Sequence, residues 1–299
     1  MRVTPLPEVS PGSSSRSVAI GTFDGLHLGH REVIRGSDTV LTFEPHPLAV
    51  LHPEATPKLL TPFSIKRDLI AGLGVDELVV IPFDREFASL SAEQFASEVL
   101  AGRLRARQVS VGENFRFGKR ARGTPEFLQS QPEFETRVVP LVEVAGETVS
   151  SSHIRGLVAA GDVRHAAEYL GGPFLFEGEV VLGDRRGRQL RMPTANIVPD
   201  DALVTPGHGV YAAWAHGYPG AVNVGVRPTF ETGRGLLIEV HLIGFEGDLY
   251  GETLRIAFVE RMRGEKRFES VDALVEQMQR DVAEAREICE STRYPAAAS

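Results

Sequence analysis

The sequence predicts an α/β half followed by an all-β half that ends in a helix. Two observations carry this. Between Val18 and about Tyr169, short β-branched runs alternate with segments bearing helix punctuation, the pattern of a parallel sheet flanked by helices. Beyond the break at Gly171, Gly172 and Pro173, apolar runs arrive at short intervals with Gly, Pro or Asp between them, the texture of an antiparallel barrel or sandwich. Domains of 1–170 and 171–299 are therefore expected, and 299 residues suffice for two buried cores.

In the first half the strands are "SVAIGTF", "TVLTF", "ELVVIPF" and "QVSVG". Thr61 before Pro62 predicts an N-cap with proline at the first helical position, and Gly72 and Gly74 close that helix. Ser91 and Gln94 predict a capping box, stapled by Leu90 and Phe95. The crossover after the first strand is short: "REVIRGSD" leaves a helix from about His27 to Arg35, rising only ~13 Å, so a weakened edge is expected there. In the second half the strands are "FEGEVVLGD", "HGVYAAWAHG", "GAVNVGV", "LLIEVHLI" and "TLRIAFVERM". Val271, Leu274, Val275, Met278, Val282, Ala285 and Cys289 then recur at helical spacing, an apolar stripe for packing on those strands. Cys289 lies on the stripe and reads as core filler rather than a reactive thiol, and "YPAAAS" reads as a frayed tail.

A formal charge of −8 argues against a nucleic-acid partner held by broad phosphate neutralisation, while leaving room for small phosphate ligands. One cysteine excludes an intramolecular disulfide and a cysteine-only zinc site. No run approaches the ~20 apolar residues of a membrane span, and "MRVTPLPEVS" has no apolar signal core. The expectation is a cytoplasmic protein with small-molecule substrates and no membrane partner; a homo-oligomer stays open.

The densest motif is "VAIGTFDGLHLGHREVI", where a strand turns into a helix. Ligands of open α/β sheets bind at such carboxyl ends. Gly21, Gly25 and Gly29 let backbone turn sharply or approach a ligand, and His27 and His30 share one helix face beside N-terminal N–H groups, an arrangement suited to phosphates. A pair of capping histidines is the plainer alternative. As a unit, "GTFDGLHLGH" resembles the HxGH nucleotidyltransferase superfamily in its FMN adenylyltransferase branch, and "TFEPHP", "VGENFRFG" and "VSSSHIR" resemble that branch's later motifs, in order. The resemblance implies a Rossmann-like parallel sheet in which Gly21, Phe23, Asp24, Gly25, His27, Gly29, His30, Ser151, Ser152 and Arg155 serve ATP. It also implies that Asn114, Phe115 and Phe117 lie near the flavin, with Phe43 a further candidate, although core packing explains each ring equally well. His27 and His30 are the candidates for catalysis. Because FMN's phosphate is already an anion, positioning and charge neutralisation are needed rather than a general base.

In the second half, "PTAN" (Pro193 to Asn196), followed by "GVYAAW", "NVGVRPTF", "IEVHLIGFEGDLYG" and "MRGEKRFESVDAL", resembles the riboflavin kinase module, a small β-barrel with a C-terminal helix. Thr194 and Asn196 carry oxygens suited to Mg²⁺ and nucleotide phosphate. Glu239 matches the family's catalytic glutamate, able to take the proton of the attacking alcohol. A solvated strand glutamate is the competing reading. His241 is given no role, Arg227 either contacts phosphate or braces a loop, and Arg191 stands where the family has glycine. The joint resemblance is to bifunctional riboflavin kinase/FMN adenylyltransferases of the prokaryotic FAD synthetase family, with ATP as co-substrate and riboflavin, FMN and FAD as substrates and products. The alternatives are one live module only, or a flavin- and nucleotide-binding regulatory protein without turnover.

Overall fold

The structure is a computed structural model that describes residues 1–10, 15–182, 192–227 and 235–292. Arg191, the side chain of Arg227 and the tail "YPAAAS" lie outside the described residues. The chain forms two compact units, Met1–Pro57 with Lys66–Ser150, and Lys58–Ile65 with Ser151–Ser299.

The first unit is built on strands β1 (Arg2–Pro5), β2 (Arg16–Ile20), β3 (Thr39–Glu44), β4 (Glu77–Pro82), β5 (Ala106–Gly112) and β6 (Glu135–Val139). They form one sheet in the order β1-β4-β3-β2-β5-β6 with every pairing parallel. The order runs one way from β2 through β3 to β4 and the other way through β5, so the reversal falls between β2 and β5. Crevices of doubly wound sheets open at this point, beyond the carboxyl ends of the strands. The predicted strands are all present; β1 and β6 are additions at the two edges. Helix α1 (Leu28–Ile34) makes the short crossover. The expected weak edge does not occur, because β2 and β3 are central and the turn from Gly21 to His27 supplies the missing length. Helix α2 is Pro47–Leu51, and α3 (Phe63–Ala71) begins just after Pro62, one residue later than expected, and ends before Gly72. The capping box at Ser91 and Gln94 starts α4 (Ala92–Gln94), which continues as a π-helix over Phe95–Arg103. Helix α5 is Pro125–Gln129, and a small antiparallel ribbon pairs β7 (Glu143–Val144) with β8 (Glu147–Thr148).

Glu77, buried on β4, ties three strands of this sheet. Thr4 donates to its Oε1 (2.9 Å), Arg16 to its Oε2 (3.2 Å), and Arg2 lies 3.0 Å away. Burial pushes the carboxyl's pKa up, but the bonds from Arg2 and Thr4 and the charges of Arg16 and Arg2 outweigh it, and the net shift is downward.

In the second unit, α6 (Ser151–Ala160) and α7 (Val163–Leu170) precede a closed antiparallel barrel. Its strands are β9 (Phe174–Val181), β10 (Ala195–Ile197), β11 (Gly209–Ala215), β12 (Tyr218–Arg227), β13 (Gly235–Leu242) and β14 (Thr253–Arg263), ordered β10-β13-β12-β11-β14-β9. Asp162 caps α7, and Gly171 ends it in the left-handed conformation (φ 69°) that glycine adopts without strain. The segment from Lys58 to Ile65 is woven into this unit. Leu59 donates to Ala202 O (2.8 Å) and accepts from Val204 (2.9 Å), while Ser64 donates to Glu177, which also pairs with Arg255 across β9 and β14.

Helix α8 (Val271–Ser291) packs Val282, Ala285, Ile288 and Cys289 against Ala212, Ala221 and Ile243 of the barrel wall. Two features of its stripe differ from expectation. Val271, at the first turn, is 63% exposed, because the packed face starts further along. Asp281 is buried, since Arg263 of β14 grips it with two bonds (3.0 and 2.7 Å) and Gln277 donates a third. Cys289 is core, its Sγ 3.4 Å from Ala213 O, and burial pushes the thiol up to about 11.

Two outcomes are expected. Stability owed to Glu77 is present above the ordinary carboxylate value of 4.5 and is lost as pH falls below it, so Glu77→Gln should flatten the acid limb of a melting-temperature series. Iodoacetamide at about pH 8 should label Cys289 only at the rate at which the protein opens, measured by mass spectrometry against denaturant.

Candidate active sites

Three motif loops leave the carboxyl ends of adjacent strands β3, β2 and β5. The β2 loop is the most constrained. A Cβ on Gly21 would lie 2.9 Å from the Phe23 ring, and Phe23, Gly25 and Leu26 all take positive φ (51°, 84° and 39°). Left-handed Phe and Leu are costly, ~1 kcal/mol or more each, and such strain is tolerated where surroundings enforce it. Here both side chains and Asp24 are buried.

His27 is the N-cap of α1, its Nδ1 accepting from the His30 N–H (3.3 Å). The two rings stack with centroids 3.6 Å apart, and Phe23 meets His30 edge-on at 5.4 Å. Gly29 makes room, since a Cβ there would stand 3.2 Å from the His27 ring. The plainer alternative, a capping histidine, is therefore realised at His27 together with the predicted common face. Capping occupies the His30 N–H, one of the N-terminal donors an anion was expected to use. His30 Nδ1 is sealed from solvent without a hydrogen-bond partner. Burial, then His27, then Lys66 lower its pKa well below 6.5. At neutral pH His30 is thus a neutral imidazole, a donor rather than a cation. Lys66 of α3, buried and within electrostatic reach of Glu44 and Asp24, stands in none of the motifs.

The flavin candidates fall in a file of phenylalanine rings. Phe43 meets Phe83 (5.7 Å), and Phe95 meets Phe117 (5.3 Å), which stacks on Phe115 (5.5 Å, 16°). Phe43 and Phe117 belong to the buried core, Phe115 sits partly exposed on its margin, and Asn114 is exposed. A Cβ on Gly123 would lie 2.6 Å from the Phe117 ring, so glycine is required where the two segments bridge. In the second unit, Ser151 opens α6 and Arg155 follows one turn on, donating to Ser152 Oγ (3.3 Å).

The barrel carries the other site. Register sets Asn196 of β10 and Asn223 of β12 directly across from Glu239 of β13, one on each side, and paired residues share a face. Asn223 Nδ2 donates to Glu239 Oε2 (3.2 Å), leaving the half-buried carboxylate its other oxygen. Asn196, 8% exposed, donates to Thr194 O (3.4 Å), which leaves its Oδ1 as an acceptor. His241, given no role from sequence, hydrogen-bonds through Nδ1 to Pro193 O (2.9 Å) and braces the "PTAN" turn. Beside that turn lies a cavity of about 390 Å³, lined by Thr194, Asn196, Val181, Phe245, Asp248 and Tyr250 among others. Asn223 was missed in the sequence, although a polar residue between Val222 and Val224 was the available signal. Among the described residues no group of three or more His, Cys, Asp or Glu could hold a metal ion.

Two family models match the chain, FAD synthetase over residues 10–153 and riboflavin kinase over residues 170–289. The bifunctional riboflavin kinase/FMN adenylyltransferase of Bacillus subtilis (strain 168) is 36% identical over 288 residues, covering 90% of each chain. That of Escherichia coli (strain K12) is 36% identical over 288 residues, covering 90% of this chain and 91% of its own. A crystal structure described as a macrolide-efflux protein from Streptococcus pneumoniae superposes with a TM-score of 0.84 at 31% identity, covering 96% of this chain and 99% of the other. With both models in order along it and relatives matched over nine-tenths of its length, the chain belongs to the bifunctional riboflavin kinase/FMN adenylyltransferase family.

Proposed function

We propose that this chain makes FAD in two steps. The barrel unit transfers the γ-phosphoryl group of ATP to riboflavin, giving FMN and ADP; the α/β unit then joins FMN to the adenylyl group of ATP, releasing pyrophosphate. The observation that carries the reading is the row Asn196, Glu239, Asn223, whose Asn196 also lines the "PTAN" cavity. A primary alcohol must lose a proton as it attacks phosphorus, and Glu239 is the carboxylate to take it. Asn223 fixes one of its oxygens, so the other is aimed. Thr194 and Asn196 present neutral oxygens, a donor set that fits Mg²⁺ held mainly by nucleotide phosphates and water. When bound, the ion would neutralise charge on the transferring phosphoryl group.

Adenylyl transfer asks something different of the protein. The nucleophile is an anion from the start, so His27 and His30 act as donors to the oxygens carried by the pentacoordinate phosphorus, and neutral His30 suits that role. Ser151, Ser152 and Arg155, at the start of α6 in the second unit, carry hydroxyls and a guanidinium that the family resemblance assigns to the phosphates of ATP. Gly21 and Gly29 make room for the Phe23 and His27 rings and Gly25 takes the left-handed turn, with Phe23 and Asp24 buried beneath it. Phe115 is the ring best exposed to meet a flavin, near Asn114, with Phe117 stacked on it and Phe43 in the same buried core cluster.

Protein incubated with riboflavin, ATP and Mg²⁺ should yield both FMN and FAD on chromatography. FMN without FAD would refute the reading of the first unit, and absence of FMN that of the second. Glu239→Gln should lower FMN formation by about 10²- to 10⁴-fold while FAD still forms from supplied FMN; His30→Ala should do the reverse, by about 10²-fold. Asn223→Ala should cut kcat for FMN formation roughly tenfold with the KM for ATP little changed, as steady-state kinetics would reveal.

A further inference from the structure

Both histidines of the adenylyl-transfer motif depend on one short helix. His27 is the N-cap of α1, His30 lies in its first turn, and the helix is only seven residues long. Two turns hold few internal hydrogen bonds, so such a helix takes its placement from the framework around it. Toward its start, Arg31 Nε donates to Leu26 O (3.2 Å) and ties the helix to the β2 loop. At its end, carbonyl groups that no further turn satisfies must find other donors.

The last helical bond runs from the Arg35 N–H to Arg31 O (2.9 Å), which leaves the carbonyls of Glu32, Val33, Ile34 and Arg35. Each has a donor. The Ser37 N–H serves Ile34 O (2.9 Å). Ser110 Oγ donates to Val33 O (2.7 Å), and the Arg137 guanidinium spans the remaining two, donating from Nη2 to Glu32 O (3.0 Å) and from Nη1 to Arg35 O. Ser110 of β5 and Arg137 of β6 are direct partners in the parallel ladder, so their side chains stand together on one face of the sheet, beneath the end of α1. Three of the four carbonyls are therefore held by the sheet itself. The guanidinium also places positive charge at the negative end of the helix dipole, with the Glu32 carboxylate 3.9 Å away.

We propose that Arg137, with Ser110 beside it, is a positioning residue of the adenylyl-transfer site, holding α1 at the rotation and height that present His30 to the reacting phosphate; this rests on the adenylyl-transfer reading above. Neither residue belongs to a motif of the crevice, and Arg137 acts only through backbone carbonyls. Glu32, whose carbonyl it grips, follows His30 by two residues, so a slackened helix end moves the imidazole with it. A displacement of about 1 Å in a group that must meet a transition state can cost on the order of 10²-fold in rate.

The test is a double-mutant cycle on FAD formation from FMN and ATP, with wild type, Arg137→Met, His30→Ala and the two combined. Arg137→Met should lower kcat about tenfold and leave the KM for ATP little changed. In the His30→Ala background the same substitution should cost less than about twofold, because a residue that acts through His30 then has nothing to position. Arg137→Lys should recover part of kcat. Ser110→Ala, which removes one bond, should lower kcat about three- to fivefold with the same non-additivity. The melting temperature and FMN formation from riboflavin by each preparation report folding, and should Arg137→Met fail them, the Ser110→Ala cycle decides. Unchanged kcat in the folded variant, or an equal fold-loss in both backgrounds, would overturn the proposal. Wild-type protein that makes FMN but no FAD, or His30→Ala with undiminished FAD formation, would instead remove the adenylyl-transfer reading, and the proposal with it.

Discussion

Alternation along a strand is the constraint on which the barrel's chemistry depends. Ile197, Val222, Val224, Ile238 and Val240 are buried, and each intervening residue is turned to the other face. Asn196, Glu239 and Asn223 are such intervening residues, so the pairing that closes the barrel also aligns them in a row. A slip of one residue would turn the Glu239 carboxylate to the face that Ile238 and Val240 now bury and bring a valine out to the face it leaves. Hydrophobic burial thereby fixes the position of a polar group to within the tolerance of a hydrogen bond, without any dedicated scaffold.

The α/β unit meets its phosphate problem by another route. Its turn after β2 is strained and buried, its first histidine is committed to the helix, and its second is desolvated into neutrality. Desolvation that would weaken a cation strengthens a donor aimed at an anion, because no water competes. Asp24 and Glu44 act in the opposite sense on buried Lys66, favouring its ammonium form against the cost of burial.

Much of this was legible in the sequence, for physical reasons. Glycines, histidines and hydroxyl residues concentrate where backbone must bend or helices must be capped, so the β2 turn, the start of α6 and "PTAN" announce themselves as candidates. Central strands are written in β-branched runs; the edges β1 and β6 are not, since "RVTP" and "ETRVV" are short and partly polar. Lys66 was hidden because a lysine in an amphipathic helix looks solvated, and only the fold reveals that its face is covered. Asp281 was hidden likewise, its partner Arg263 lying in another element. The capping duty of His27 could be named from spacing but not decided, as both readings use the same three-residue interval.

The segment from Lys58 to Ile65 gives the molecule an interleaved architecture. Its backbone completes the hydrogen bonding of Ala202 and Val204, and Ser64 reaches the Glu177–Arg255 pair. A protease or a genetic cut that severed the polypeptide near residue 150 would leave the downstream fragment without a strap borrowed from upstream, baring a carbonyl, an amide and half a carboxylate. The later unit takes part of its framework from within the earlier stretch of sequence, so it is not a free-standing cassette.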